Sequence, residues 1–302
     1  MSASGQALSR RVESRRSLGA RVMLALKLMA RNKVGFAGFI GVLFFLFISF
    51  ILPYFVPIST TTNLTTISLA PSWAHWLGTD SEGRDVVVQI IHGGSDVLLV
   101  AFLTAALTTV IAVTFGALTA LIGGTFDVLM MGLADIVLTI PQFPLLAVLA
   151  TLITLNSIFW VALVLSLLGW PYLLRSVRAQ VLSLKERDYV EAARSLDLSI
   201  WHILFREILP NMAPYIVISF TLAGTGAVYA ETGLIFLGLV PLSGNNWGAM
   251  IYLAWNRGAV FDPSSMWYML GPVFAIALFQ LTLVFMSRSL EEVFNPRLRQ
   301  GV

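Results

Sequence analysis

A chain of 302 residues that is 57% hydrophobic and only 12% charged departs from soluble globular proteins, in which about 25% of residues are charged. Its mean hydropathy of +0.84 points to a protein that crosses a bilayer several times. The absence of cysteine excludes disulfides, thiol catalysis and cysteine-ligated metals, and the net charge of +3 is explained by where the cations lie rather than by nucleic acid.

Residues 1–34 form a basic tail with Arg10, Arg11, Arg15, Arg16, Arg21, Lys27, Arg31 and Lys33 against the single acid Glu13. Leu18, Val22, Leu26 and Met29 recur at helical spacing, which suits a helix lying on an anionic membrane surface; the first part of the tail reads equally as a flexible basic segment. Residues 35–56 are the first span, since about 20 apolar residues suffice to cross the hydrocarbon core. Its length and its exit at Pro53 and Pro57 do not match a signal peptide.

Residues 57–96 read as a polar loop outside the membrane. On chemistry alone His75, Asp80 and Asp85 admit a metal site, but Gly78 and Gly83 read equally well as turn residues, with Arg84 available to pair with Asp80 or Asp85. The core follows over residues 97–286, with spans predicted at 97–122, 128–153, 158–174, 212–237 and 266–286. Pro141 and Pro144 predict a kink or break in the third span. Gly224, Gly226 and Gly233 in the fifth permit close packing or flexing. Residues 239–265 form a second outer segment, in which 246–255 reads as a short helix at the interface favoured by tryptophan, ended by Gly258. Residues 287–302 are a short tail.

The polar stretch 175–211 interrupts this apolar sequence. Asp188 and Glu191 have the spacing of a capping box. Tyr189, Ala192, Ala193 and Leu196 then share one small apolar face, a face too small to form a core alone and therefore expected to be buried against a partner. The first short helix should end at Asp197. Ser199 can cap a second, with Ile200, Ile203, Leu204 and Ile208 on one face, and Pro210 should stop it. With the amino terminus inside, seventeen of the nineteen basic residues fall on the inner side and only Arg84 and Arg257 outside. The excess of cations in inner segments then places both termini and the 175–211 stretch in the cytoplasm.

Glu191-Ala192-Ala193, the turn at 197 and Ile208-Leu209-Pro210 resemble the EAA loop of ABC-importer membrane subunits. Gly169-Trp170-Pro171, Arg175-Ser176-Val177-Arg178-Ala179-Gln180, and Leu77-Gly78-Thr79-Asp80 with Gly83-Arg84-Asp85 narrow the resemblance to the C-type permease of the dipeptide/oligopeptide/nickel group, and Asn295-Pro296-Arg297-Leu298 is similar to that group's carboxyl end. One departure is Asp197, where the family usually has glycine. The resemblance implies an all-α, six-span permease of the type I importer class in a bacterial or archaeal inner membrane. It implies a second homologous permease, two ATP-binding subunits and an extracytoplasmic solute-binding protein as partners. In that family the loop docks on the ATP-binding subunit, which assigns coupling to Asp188, Glu191, Ala192, Ala193, Asp197, Leu209 and Pro210. ATP and magnesium would be held by the partners, with no cofactor in this chain.

The sequence contains no Gly-x-x-x-x-Gly-Lys-Ser/Thr phosphate loop, no His-Glu-x-x-His and no Gly-x-Ser-x-Gly elbow, so the chain is not expected to be an enzyme. His75, His92 and His202 are far apart. Asp135 and Glu231 lie within spans and, because a carboxylate in hydrocarbon is costly, each should face the bundle interior or a water-filled path. With Pro141 they are the candidate translocation residues, with no cation predicted mid-span to neutralise them. The solute expected is a dipeptide or oligopeptide, with nickel or an oligosaccharide as alternatives of the same architecture. A stand-alone proton-coupled carrier using Asp135 and Glu231 is the alternative of another class.

Overall fold

The computed structural model describes residues 18–59, 61–153, 155–240 and 246–294; the basic residues Arg10 to Arg16 and the Asn295 to Arg299 segment lie outside these. Among the described residues the chain is helical without a strand, in the order α1 (Leu18–Met29), α2 (Lys33–Phe50), α3 (Val86–Ile122), α4 (Gly124–Thr139), α5 (Gln142–Leu152), α6 (Ile158–Lys185), α7 (Asp188–Ser195), α8 (Ile200–Phe236), α9 (Trp247–Asn256) and α10 (Met266–Phe294). Helices α2, α3, α6, α8 and α10 are long and apolar enough to cross a membrane, and α4 with α5 passes the same test as a pair bent by 88°. Counted as one span, the pair brings the number to six.

Local sequence explains the starts and breaks. The Asn32 carboxamide accepts the Gly35 amide at 2.9 Å, and the Asp85 carboxylate accepts the Val88 amide at 3.1 Å. Each satisfies an amide left free in a first helical turn. The break between α4 and α5 falls at Ile140-Pro141. A residue before proline is pushed out of the helical region, and Ile140 is extended at φ −84°, ψ 126°. Pro144 sits in the first turn of α5, where it lacks no needed donor.

The loop before α3 is shorter than the sequence predicts, because α3 begins at Val86 rather than Val97. Its polar residues lock the start of that helix. Asp80 is buried, and accepts the Glu82 and Arg84 amides at 2.8 Å each, Arg84 Nε at 2.8 Å and Gln89 Nε2 at 3.0 Å. Burial disfavours the Arg84 cation, but the hydrogen bond and charge of Asp80 outweigh it and raise its pKa. His75 Nδ1 meets Asp85 Oδ2 at 2.7 Å. Gly78 and Gly83 take positive φ of 72° and 76° as turn residues. Among the described residues no group of His, Asp or Glu is placed to hold a metal ion.

Packing differs between the two ends of the bundle. Towards the Val86 end of α3, Phe45, Val97, Trp247, Met250, Tyr268 and Phe279 form one cluster. Towards the other end, Trp170, Leu174, Val177, Val190, Ile203, Leu204 and Ile208 belong to a second. Small residues let helices approach, as expected where apolar burial alone does not drive association in lipid. A methyl at Gly116 of α3 would lie 2.9 Å from the Leu174 carbonyl of α6, and one at Gly38 of α2 would overlap the backbone of Met286 in α10.

One expectation is corrected and another gains detail. Pro210 does not stop a helix, because α8 runs through it. Residues 203–208 widen into a π turn, and the proline falls where this turn returns to α geometry, so the ring is accommodated without the clash it makes inside regular α-helix. Helix α9 is packed into the bundle rather than resting on its surface. Trp247, Met250 and Ala254 are buried against α3, α8 and α10, and only Trp255 of its tryptophans is exposed. Gly258 does follow its end, at φ 71°.

Candidate transport path and docking surface

In the polar stretch, α7 begins one residue earlier in the capping frame than the sequence predicts. Arg187 is its N-cap, no side chain caps it, and Asp188 and Glu191 lie in the first turn. They favour the positive end of the helix dipole but form no capping box. The predicted apolar stripe is also split. Ala193 turns inward with Val190, joining Val177, Val181, Ile203, Leu204 and Ile208, whereas Tyr189, Ala192 and Leu196 are exposed. The stretch therefore has an internal core, contrary to the expectation that its only apolar face awaits a partner. Val190 lies one position from Tyr189, about 100° around the helix, which is enough to turn the seam.

Beyond α7 the chain reverses on Asp197, at φ 52°. The Asp197 amide donates to the Arg194 carbonyl at 2.9 Å and the Leu198 amide to the Ala193 carbonyl at 3.2 Å, the paired bonds of a Schellman C-cap. The Ser199 hydroxyl then accepts the His202 amide at 3.2 Å and starts α8. Ile200 is exposed rather than sharing the buried face of Ile203, Leu204 and Ile208. Tyr189, Leu196, Ile200, Trp201 and Phe205 are exposed on the tip, with the Trp201 and Phe205 rings stacked at 6.0 Å. Leu209 is half-buried and Pro210 exposed.

Two cavities open between α3, α6 and α8. The larger, of about 540 Å³, is lined by Thr104, Thr108, Gln142, Tyr172, Tyr215 and Ser219 among others. The smaller, of about 100 Å³, is lined by Asp96, Asn156, Ser157, Glu231, Asn246 and apolar neighbours. The candidate translocation residues are not brought together. Glu231 lines the smaller cavity, while Asp135 and Pro141 line neither. Asp135 is exposed and paired with Arg175, correcting the expectation that no cation reaches it. The α6 helix extends past Leu174 to Lys185, so Arg175 lies on a spanning helix beside α4. One helical turn on, Arg178 grips Asp127 through Nε to Oδ1 at 2.7 Å and a terminal nitrogen to Oδ2 at 2.6 Å. The uncharged polar lining of the larger cavity is not among the sequence-predicted site residues, although Thr104 and Thr108 at four-residue spacing within an apolar span are a usable signal.

A family model described as binding-protein-dependent transport system inner membrane component matches residues 112–300. The chain is 39% identical over 236 residues to a protein of Brucella suis biovar 1 provisionally named a peptide permease, covering 78% of this chain and 77% of that one. It is 30% identical over 279 residues to the oligopeptide transport system permease protein of Bacillus subtilis strain 168, covering 89% and 87%. Against the dipeptide transport system permease protein of the same organism it is 30% identical over 275 residues, covering 90% and 84%.

Proposed function

Because the chain belongs to the family of binding-protein-dependent transport system inner membrane components, we propose that it is the permease subunit of an ATP-driven peptide importer and forms part of the solute path. Its partners in this reading are a homologous permease, two ATP-binding subunits that hold ATP and magnesium, and a solute-binding protein outside. Relatives named for oligopeptide and dipeptide transport support the peptide class. The observation that carries coupling is the tip of the 175–211 stretch. Buried residues of the tip pack into its own core, yet Tyr189, Leu196, Ile200, Trp201 and Phe205 remain exposed, the last two stacked on each other. An apolar edge of this kind beside flanking charges suits insertion into a groove of another subunit. ATP-driven closure of the partners would push this tip, and because it is cored onto α6 and continuous with α8, the push reaches two cavity-lining helices.

The test is Leu196→Arg, which places a cation on that edge without touching the internal core. The protein should insert normally, co-purify poorly with the ATP-binding subunits and lose ATP-dependent uptake of a labelled dipeptide in vesicles. Full retention of both partner and uptake would remove the coupling reading. Uptake that persists with ATP depleted and a proton gradient imposed would favour a stand-alone carrier instead.

A further inference from the structure

The smaller cavity stacks on the larger along the same three helices. On α3, Asp96 and Val100 line the small cavity and Thr104 and Thr108 the large one; on α6, Ile158 and Val161 precede Leu165 and Leu168; on α8, Glu231 follows Ala227 and Ala230. The small cavity therefore sits about one helical turn nearer the Val86 end of α3. Its character differs sharply. The larger cavity has no charged residue in its lining, whereas the smaller has two carboxylates, Asp96 and Glu231, and no Lys, Arg or His among its lining residues.

Glu231 is the informative group. It is only 3% exposed. Asn246 Nδ2 donates to Oε1 at 2.9 Å, while Oε2 is shut off from solvent and has no hydrogen-bond partner among the described residues. Asn246 is itself held in place, since its Oδ1 accepts the Gly248 amide at 2.8 Å at the start of α9. A buried oxygen left without a donor is costly, and two acids in one small chamber raise that cost unless one carboxyl holds a proton or a positive group enters. The remaining polar lining, Asn156 and Ser157, adds groups that both donate and accept without adding charge.

Size decides what enters. A chamber of about 100 Å³ has room for roughly three water molecules at about 30 Å³ each. That suits an ammonium head and one or two waters, and excludes a whole peptide. The chamber beneath, about 540 Å³, is within the range of pockets that enclose small organic ligands. We infer that the Asp96–Glu231–Asn246 chamber binds a primary ammonium group. The group is the amino terminus of a solute or a free small amine; only the first source rests on the importer reading. Glu231 and Asp96 supply the two negative charges, and the Asn246 bond to Oε1 fixes the position of the Glu231 carboxylate.

The experiment uses the complete importer in nanodiscs and radiolabelled methylammonium, a probe that needs no delivery by a solute-binding protein. Wild type should bind it saturably. Glu231→Gln and Asp96→Asn, which keep shape and remove charge, should each weaken binding roughly tenfold or more, as loss of a charge-assisted contact does, while co-purifying with the partners as wild type does. Unchanged affinity in both variants overturns the proposal, as does displacement of the probe by sodium or potassium as readily as by amines. Displacement by dialanine amide but not by N-acetyl-dialanine amide assigns the site to a peptide amino terminus; displacement by ammonium chloride alone keeps the site and assigns it to a free amine. ATP-driven uptake is measured separately on wild type, and its absence counts against the importer reading while the binding result stands by itself.

Discussion

The Trp247 indole nitrogen donates to the Ile90 carbonyl at 2.8 Å, a bond that joins α9 to α3 between residues far apart in the chain. The indole is wholly buried, edge-on to Phe45 at 6.0 Å and Phe279 at 6.4 Å. Helices α2, α3 and α10 therefore all meet α9 on one ring. Trp247→Phe removes the hydrogen bond and keeps most of the packing, so it should cost about 1 kcal/mol. Trp247→Ala also leaves a cavity and should cost about 3–5 kcal/mol. Thermal unfolding in detergent would separate them. If the alanine variant melts with the wild type, α9 is not an integral part of the bundle.

The burial of α9 has no local signature in the sequence. Trp247, Met250, Ile251 and Trp255 are equally consistent with a helix at the interface and one inserted in the bundle, because both surroundings accept tryptophan. The long spans are legible, since runs of apolar residues near 20 leave no other solution, and so is the break at Pro141. The Asp197 turn is legible from a family pattern plus the tolerance of aspartate for left-handed backbone. Side-chain facing is not. Choosing between Tyr189 and Val190 as the inward residue of α7 needs the position of α6, which no local period supplies. The Arg175–Asp135 pair is hidden for a related reason, as α6 continues past the point where hydropathy falls.

The charge distribution predicts an orientation, with seventeen of nineteen cations assigned to the inner side. Reporter fusions at Gly5, Lys185 and Val302 should report cytoplasm, and fusions at Ser68 and Ser264 should report the outside. A cytoplasmic signal at Ser264 would remove the six-span arrangement.

The two ion pairs between α4 and α6 should differ in weight. Arg175 and Asp135 both extend well outside the isolated chain's own packing, and on a water-facing surface a pair of this kind contributes about 0–1 kcal/mol. Asp135→Asn should therefore insert and assemble as wild type. Arg178 and Asp127 are more shielded and joined at two points, a geometry that strengthens the contact, so Asp127→Asn should cost about 1–2 kcal/mol. Lower thermal stability for Asp135→Asn than for Asp127→Asn would reverse this ranking.

The tip of the 175–211 stretch allows a sharper separation of folding from docking. Ala193 is only 5% exposed and lies against the Ile203, Leu204 and Val177 side of the tip, whereas Ala192 beside it faces out. Ala193→Glu would bury an unpaired carboxylate, so the tip itself should unfold locally, read as new protease cleavage between Leu184 and Pro210 in the isolated permease assembly. Ala192→Glu should leave that cleavage pattern unchanged and weaken only co-purification of the ATP-binding subunits. Asp197→Gly acts in the opposite direction. Its backbone is left-handed at φ 52°, a region that costs a residue with a side chain roughly 1 kcal/mol and glycine almost nothing, while the Schellman bonds from Asp197 and Leu198 use backbone amides alone. The glycine variant should therefore keep those bonds, gain up to about 1 kcal/mol and resist cleavage at the tip slightly better than wild type. Faster cleavage of Asp197→Gly than of wild type would show that the aspartate carboxylate, and not the turn, is what the position requires.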